Sequence, residues 1–368
     1  MHDDLDHTLE AGGAGTAVLL DEPDSQALAP VSSGHSGTFQ VRNPGTGEVV
    51  GTYPVATAVE VQAAVGRARE AAEWWSTLGF AERGRRLDAF RGILARRIHE
   101  LAALMREEMG KPHSDAALEV AVVLDHIAWA AKHAEKTLSP RRTRSGLATI
   151  HLKGRVGYQP LGVIGVIGPW NFPVMTPLGS VIFALAAGNT VVFKPSEFSP
   201  GVGLWLERAM AEVVPEQPVF QVVTGTGATG AALSRAGVDK VSFTGSTATA
   251  KKVMAACAES LTPLVAECGG KDAVIIDRDA DLDAAVDGVT WSAFANAGQA
   301  CIGTERVYVH QDRYEDFLAR LVDRVGPLQA GPGDEKQIGA ITMPSQVGVI
   351  EAHVRDALDR GGRVLVGG

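Results

Sequence analysis

The sequence predicts an α/β protein: a doubly wound parallel sheet followed by a second α/β domain. Three observations carry that expectation. From Val163 onward, short apolar runs alternate with longer segments of helical period. Those short runs are apolar at consecutive positions, as strands covered by helices on both faces are. The 38 positions from Val156 to Phe193 hold no charged residue. They are nevertheless broken by Gly168-Pro169-Trp170-Asn171-Phe172-Pro173 and again by Pro177 and Gly179, which excludes one continuous membrane span of ~20 apolar residues.

Taken in order, residues 1–37 hold seven acids and no lysine or arginine, without periodicity, and read as a flexible tail. Asn43-Pro44-Gly45-Thr46-Gly47 marks a turn between two extended runs, a hairpin. Ala58–Trp75, Ala81–Met109 and Ser114–Lys136 are helical in period, the second stopped by Gly110 with Pro112 beyond. Leu147–Leu152 and Arg155–Gln159 suggest a two-stranded excursion. Strand Val163–Ile167, helix Leu178–Ala187 and strand Thr190–Phe193 follow. The alternation then runs through helix Val202–Val214, strand Phe220–Val223, helix Gly230–Ala236, strand Lys240–Thr244, helix Thr249–Glu259 and strand Leu264–Ala266. A second unit begins after Gly270 with strand Ala273–Ile276, a helix ending near Asn296, strand Arg306–His310 and helix Tyr314–Val325. Val364–Val366 reads as a further strand. The chain thus divides into a tail at 1–37, a sheet domain at 38–143 and 160–267, an excursion at 144–159, and a second domain at 268–368.

Composition narrows the function. Of the 368 residues, 45% are hydrophobic and 21% charged, the balance of a globular protein. The net charge is −9, and removing the seven acids of the tail leaves −2. A near-neutral body without a basic run argues against nucleic-acid binding. The three cysteines form no Cys-x-x-Cys pair, which gives no metal signature and suits a reducing cytoplasm. The N-terminus lacks the positive region of a secretory signal.

Chemistry-bearing residues follow the predicted strands. Trp170-Asn171 follows the first buried strand, Lys194 and Glu197 the next, Gly245-Ser246 opens a helix, and Glu267-Cys268-Gly269-Gly270 comes last. In a parallel sheet all four sets meet at one edge, where such folds bind ligands, and a helix start there suits a pyrophosphate. Singly, Lys194 and Glu267 could be solvated strand ends. Thr224–Gly230 contains a Gly-x-Gly-x-x-Gly, but ~20 residues on there is no acid to hold a ribose. It reads as a tight turn bringing Gly227 to the crevice. Cys301 sits among Ala297, Gly298, Ala300 and Gly303, with room at its sulfur, although a lone cysteine is more often a small hydrophobe.

Pro169-Trp170-Asn171-Phe172-Pro173, Lys194-Pro195-Ser196-Glu197, Phe243-Thr244-Gly245-Ser246-Thr247, Glu267-Cys268-Gly269-Gly270-Lys271 and Asn296-Ala297-Gly298-Gln299-Ala300-Cys301 together resemble the NAD(P)-dependent aldehyde dehydrogenases, in that family's order. The resemblance covers about Phe39 to Gly368. It implies a Rossmann-like cofactor domain and a catalytic domain, with the excursion joining subunits. It implies oxidation of an aldehyde to an acid through a cysteine thiohemiacetal and thioester. Cys301 resembles the nucleophile, Asn171 the side-chain half of an oxyanion hole, and Glu267 the general base. Lys194 and Glu197 resemble the pair on the adenosine ribose, with Gly245 and Ser246 under the pyrophosphate. Gly168, Pro169, Trp170, Phe243 and Cys268 resemble the pocket's border. NAD is expected ahead of NADP, because the Glu197 carboxylate would repel a 2′-phosphate.

Two departures stand out. Cys268 follows the base where the family often has leucine. The family's Glu-x-Phe-Gly-Pro motif and its C-terminal strand do not occur before Gly368, so the resemblance implies a C-terminally incomplete member, short by roughly a hundred residues. A complete member would be a homo-oligomer, an expectation weakened by that shortfall. The alternatives are an inactive nucleotide-binding remnant and a cofactor-independent cysteine hydrolase or acyltransferase. The latter needs a histidine for Cys301, and His310 is the nearest candidate in sequence.

Overall fold

The computed structural model describes residues 37–333 and 336–367. The acidic tail read at 1–37 lies, Gly37 aside, outside the described residues. Strands β1 (Thr38–Arg42) and β2 (Val49–Pro54) form the expected antiparallel hairpin. Asn43 sets its turn, its Oδ1 accepting from the N–H groups of Gly45 (2.9 Å) and Thr46 (3.1 Å). Helix α1 (Ala58–Thr77) starts on a capping box between Thr57 and Glu60.

The long helix expected over Ala81–Met109 is two helices, α2 (Phe80–Arg96) and α3 (Ile98–Met109). Arg97 leaves helical geometry between them (φ −112°, ψ 24°). Its guanidinium is held by Glu100 and by Glu212, and lies 4.8 Å from the centre of the Trp205 ring, so long-range contacts override a continuous helical pattern. Helix α4 (His113–Leu138) follows. In the excursion the paired strands are β3 (Arg141–Thr143) and β4 (Gly154–Val156), and the strand expected over Leu147–Leu152 is instead a 3-10 turn at Leu147–Thr149. All three residues of β3 are exposed, so no apolar alternation announced it.

Next come β5 (Val163–Ile167), α5 (Met175–Ala186), β6 (Thr190–Lys194), α6 (Pro200–Val213), β7 (Phe220–Val222), α7 (Gly227–Arg235), β8 (Lys240–Thr244), α8 (Thr247–Ala258) and β9 (Leu264–Glu267). The five strands form one parallel sheet in the order β7-β6-β5-β8-β9. Ile164, Val166, Val191 and Phe193 enter the core shared with α2 to α6. Val163, Ile167 and Val192 enter the core shared with α1, α7 and α8. This two-sided cover is why the strands are apolar at successive positions. The winding reverses at β5, so the carboxyl ends of β5 and β8 flank a switch point. No helix among the described residues is long and apolar enough to cross a membrane.

The second unit holds β10 (Asp272–Ile276), α9 (Leu282–Phe294), β11 (Thr304–Val309) and α10 (Tyr314–Val325), with β10 and β11 paired in parallel. A further helix, α11 (Pro344–Asp359), was not anticipated. The strand expected at Val364–Val366 is not formed: these side chains are exposed and pair with no described strand.

Candidate active site

The carboxyl ends of β5, β6, β8 and β9 are tied by backbone hydrogen bonds. Beyond β5, the Gly168 N–H donates to Lys194 O at 3.1 Å. A Cβ at Gly168 would lie 2.8 Å from the Phe193 ring, so only glycine allows this approach. Pro169 and Trp170 follow, both part-exposed. At the end of β6, Lys194 is buried and its Nζ reaches Glu197 Oε2 at 3.4 Å. Burial pushes the ammonium pKa down, and Glu197 opposes that shift. The Glu197 side chain is 40% exposed.

Beyond β8, Gly245 lies against buried Phe243: an added Cβ would come within 2.7 Å of the ring. The Gly245 N–H donates to Glu267 O at 3.1 Å, joining β8 to the end of β9. Ser246 caps α8, its Oγ accepting from the Thr249 N–H at 3.2 Å. Glu267 itself is exposed, and Cys268 packs on the core that contains Phe243 and Val253. Gly227 is exposed at the start of α7. The polar groups of its turn are occupied by residues 54–56: Thr224 Oγ1 donates to Pro54 O at 2.6 Å and Thr229 Oγ1 to Ala56 O at 3.0 Å.

Cys301 is part-exposed on the loop between α9 and β11. Ahead of it, Asn296 (φ 54°), Ala297 (φ 59°) and Gly298 (φ 72°) form a left-handed turn. For a residue such as Ala297 that conformation costs roughly 1–2 kcal/mol, and it persists because its surroundings hold it. The Asn296 N–H donates to Asp115 Oδ2 at 2.9 Å, and its Nδ2 to Asn171 O at 3.0 Å. Gln299 Nε2 donates to Asn296 O (3.0 Å) and Ala340 O (3.3 Å), while its Oε1 accepts from the Thr342 N–H (2.9 Å). The Cys301 carbonyl accepts from the Gly270 N–H at 3.3 Å, which brings the Glu267 loop alongside.

Asn171 is fixed from both ends of its amide. Its Oδ1 accepts from the Phe172 N–H at 3.0 Å, and its Nδ2 donates to Gln299 O at 2.9 Å. Nδ2 carries two hydrogens, so one is left to point at a ligand. His310, by contrast, faces Asp312 and Arg278 and makes no hydrogen bond to Cys301.

Sequence reasoning missed Lys111, Asp115 and Glu119. Lys111 and Glu119 form an ion pair whose side chains are 1% and 0% exposed. Lys111 Nζ donates to Asn171 O at 2.7 Å. Glu119 Oε1 accepts from the N–H groups of Val174 (2.8 Å) and Met175 (2.9 Å). The available signal was a carboxylate on the face of α4 that buries Ala116, Val120 and Val123.

Residues 31–368 match the model of the aldehyde dehydrogenase family. The chain is 34% identical over 328 residues to the 4,4'-diapolycopene aldehyde oxidase of a Methylomonas species, covering 89% of this chain and 62% of the relative. It is 35% identical over 348 residues to a probable NADP(+) succinate-semialdehyde dehydrogenase of Sinorhizobium fredii, covering 92% and 70%. It superposes on PnpE from Pseudomonas sp. WBC-3, in complex with nicotinamide adenine dinucleotide, with a TM-score of 0.86 at 35% identity, over 90% of this chain and 68% of that one. The chain thus spans about two thirds of the length of these relatives.

Proposed function

The chain belongs to the aldehyde dehydrogenase family, and on that premise we propose that it oxidises an aldehyde to a carboxylic acid with a nicotinamide dinucleotide. One observation carries the reading. The loops bearing Asn171, Glu267 and Cys301 are knitted together through the Asn171–Gln299, Gly270–Cys301 and Gly245–Glu267 hydrogen bonds. Cys301, as thiolate, attacks the aldehyde carbon, and the developing oxyanion is met by the free Nδ2–H of Asn171. A nicotinamide cofactor, which Lys194, Glu197 and the first turn of α8 would hold, would supply the acceptor for the hydride of this carbon. Glu267 then removes a proton from water, whose oxygen attacks the thioester carbonyl and releases the acid and the Cys301 thiolate.

The residues present suit the cofactor. Lys194 is a buried ammonium whose hydrogen bond to Glu197 is long, so it has donors to spare for ribose hydroxyls. The first turn of α8 after Gly245 and Ser246 is exposed and presents free N–H groups to a pyrophosphate. The Glu197 carboxylate favours NAD over NADP, although the Sinorhizobium relative is named for NADP(+). The excursion with β3 and β4 exposes Leu147, Ile150 and Leu152, apolar cover suited to a second subunit. Three free thiols suit a reducing cytoplasm.

The test is aldehyde-dependent NADH formation by the 368-residue chain, with NAD binding measured in parallel and a panel of aldehydes supplied. NADH formation that requires both the aldehyde and Cys301 supports the reading. NAD binding without any turnover on the panel would leave the nucleotide-binding remnant as the better account.

A further inference from the structure

Buried Lys111 and Glu119 and part-exposed Asp115, around the start of α4, belong to no part of the chemistry described above, yet between them they touch both reacting loops. Lys111 Nζ and Asn296 Nδ2 together occupy the Asn171 carbonyl, at 2.7 and 3.0 Å. The same ammonium lies 4.4 Å from the centre of the Phe172 ring. Glu119 binds Lys111 with one oxygen and the N–H groups of Val174 and Met175 with the other. One turn earlier on the same helix face, Asp115 accepts from the Asn296 N–H, which belongs to the left-handed turn before Cys301.

We propose that Lys111, Asp115 and Glu119 are positioning residues: a charged clamp that sets the distance between the Asn171 amide and the Cys301 sulfur. The proposal rests on the aldehyde-oxidation reading for its chemical purpose, but the clamp itself is a statement about two loops. Lys111 and Glu119 grip residues 171–175, and Asp115 grips residue 296. Asn296 links the two sides through its hydrogen bond to Asn171 O. A left-handed turn at Asn296 and Ala297 would relax without such an anchor. An ion pair this deeply buried is a costly way to close a helix start, and it is geometrically specific because its further hydrogen bonds, from Lys111 to Asn171 O and to Glu119 from Val174 and Met175, all go to one loop.

Hydrogen–deuterium exchange on the full chain tests the clamp without requiring turnover. Asp115→Ala should speed exchange of residues 295–303 by about tenfold while residues 168–176 stay protected. Asp115→Asn, which keeps an acceptor, should restore protection. Lys111→Met should loosen both segments and leave β5 and β6 protected. In single-turnover NADH formation, Lys111→Met should slow hydride transfer about a hundredfold. The same change should add less than about twofold in an Asn171→Ala background, because it acts through that residue. Unchanged exchange at 295–303 in Asp115→Ala, or equal slowing by Lys111→Met with and without Asn171, overturns the proposal. If Lys111→Met does not fold, Asp115→Ala and its Asn rescue decide the matter alone. A wild-type chain without aldehyde-dependent NADH counts against aldehyde oxidation, and the exchange result then still decides the clamp.

Discussion

In the five-stranded sheet, β5 and β6 are buried at every position, whereas across β10 and β11 only Ile276 is buried, with Ile275 80% and Tyr308 55% exposed. Both sheets are built from parallel βα units. The first is covered on two faces by separate cores. The second is covered on one face, by a cluster of Ile276, Leu282, Val286, Val289 and Phe317. Yet Cys301 lies on the loop before β11, in the thinly covered unit. Its geometry is borrowed from the other side, through Asp115, Asn171 and Gly270. The contrast teaches that packing resides mainly in the first unit, while the proposed chemistry resides where the second is pinned to it.

The sharpest way to break that contrast is to remove a thiol from each side. Cys301→Ala should lower aldehyde turnover by about 10⁴-fold or more and leave the melting temperature unchanged. Cys257 is buried in the first unit's core. Cys257→Ala should do the reverse, keeping turnover and losing about 1 kcal/mol of stability in a denaturant titration. Full turnover in Cys301→Ala would remove the proposed nucleophile.

Glu267→Gln should split the two half-reactions. Its amide cannot accept a proton from water, so the variant should release about one NADH per site and then turn over about 10²- to 10⁴-fold more slowly. Rapid-quench measurement of the burst decides this, and an undiminished steady rate would exclude Glu267 as the base.

Stability should follow cover. Leu178→Ala, in the fully buried core beneath β5, should cost about 2–5 kcal/mol. Tyr308→Ala, on the exposed face of β11, should stay within about 0.5 kcal/mol. Equal losses would mean that the second sheet is covered in solution.

The difference between the units also decided what could be read from sequence. Strands β5 and β6 were legible to within a residue, because burial on two faces writes consecutive apolar residues, and β8 through the alternation of Val241 and Phe243 with polar neighbours; at or beyond their ends lie Asn171, Lys194 and Gly245. The break at Arg97 was not, since its cause is a contact with Glu212 and Trp205 more than a hundred residues on. Strand β3 was invisible because Arg141, Arg142 and Thr143 are exposed and show no alternation. At the site, residues at strand ends were found, whereas the clamp was missed. Lys111 sits at a helix boundary and Glu119 within a helix, where charge ordinarily means solvent. Only three-dimensional proximity shows that they meet Asn171.

Within the first unit, Glu108 offers a pH test. Its carboxyl is pushed up to about 7 by burial, against hydrogen bonds from the Gly201 N–H, Tyr53 OH and Val202 N–H. The folded state therefore binds this proton more tightly than the unfolded chain does. The associated stability is complete below the ordinary value of 4.5 and is lost as pH rises through about 7. Relative to Glu108→Gln, wild type should lose stability across that window, by at most about 1.4 kcal/mol per pH unit. Urea titrations at several pH values check the slope, and a difference that is flat with pH would mean that Glu108 stays ionised.

A modest effect is expected at the cofactor edge, where Glu197 is 40% exposed. A carboxylate there can accept from ribose hydroxyls and repels a 2′-phosphate, but solvent screens both interactions. Lys194 Nζ, 3.4 Å away, partly neutralises it and would itself attract a phosphate. The preference expected for NAD is therefore modest, and Glu197→Ala should lower the ratio of kcat/KM for NAD to that for NADP by about tenfold, near 1.4 kcal/mol. Both cofactors are to be measured at one fixed aldehyde concentration and at two ionic strengths. If charge repulsion is the cause, the wild-type ratio should fall with added salt while that of Glu197→Ala stays level. A wild-type enzyme that prefers NADP would assign the dominant role to Lys194 instead.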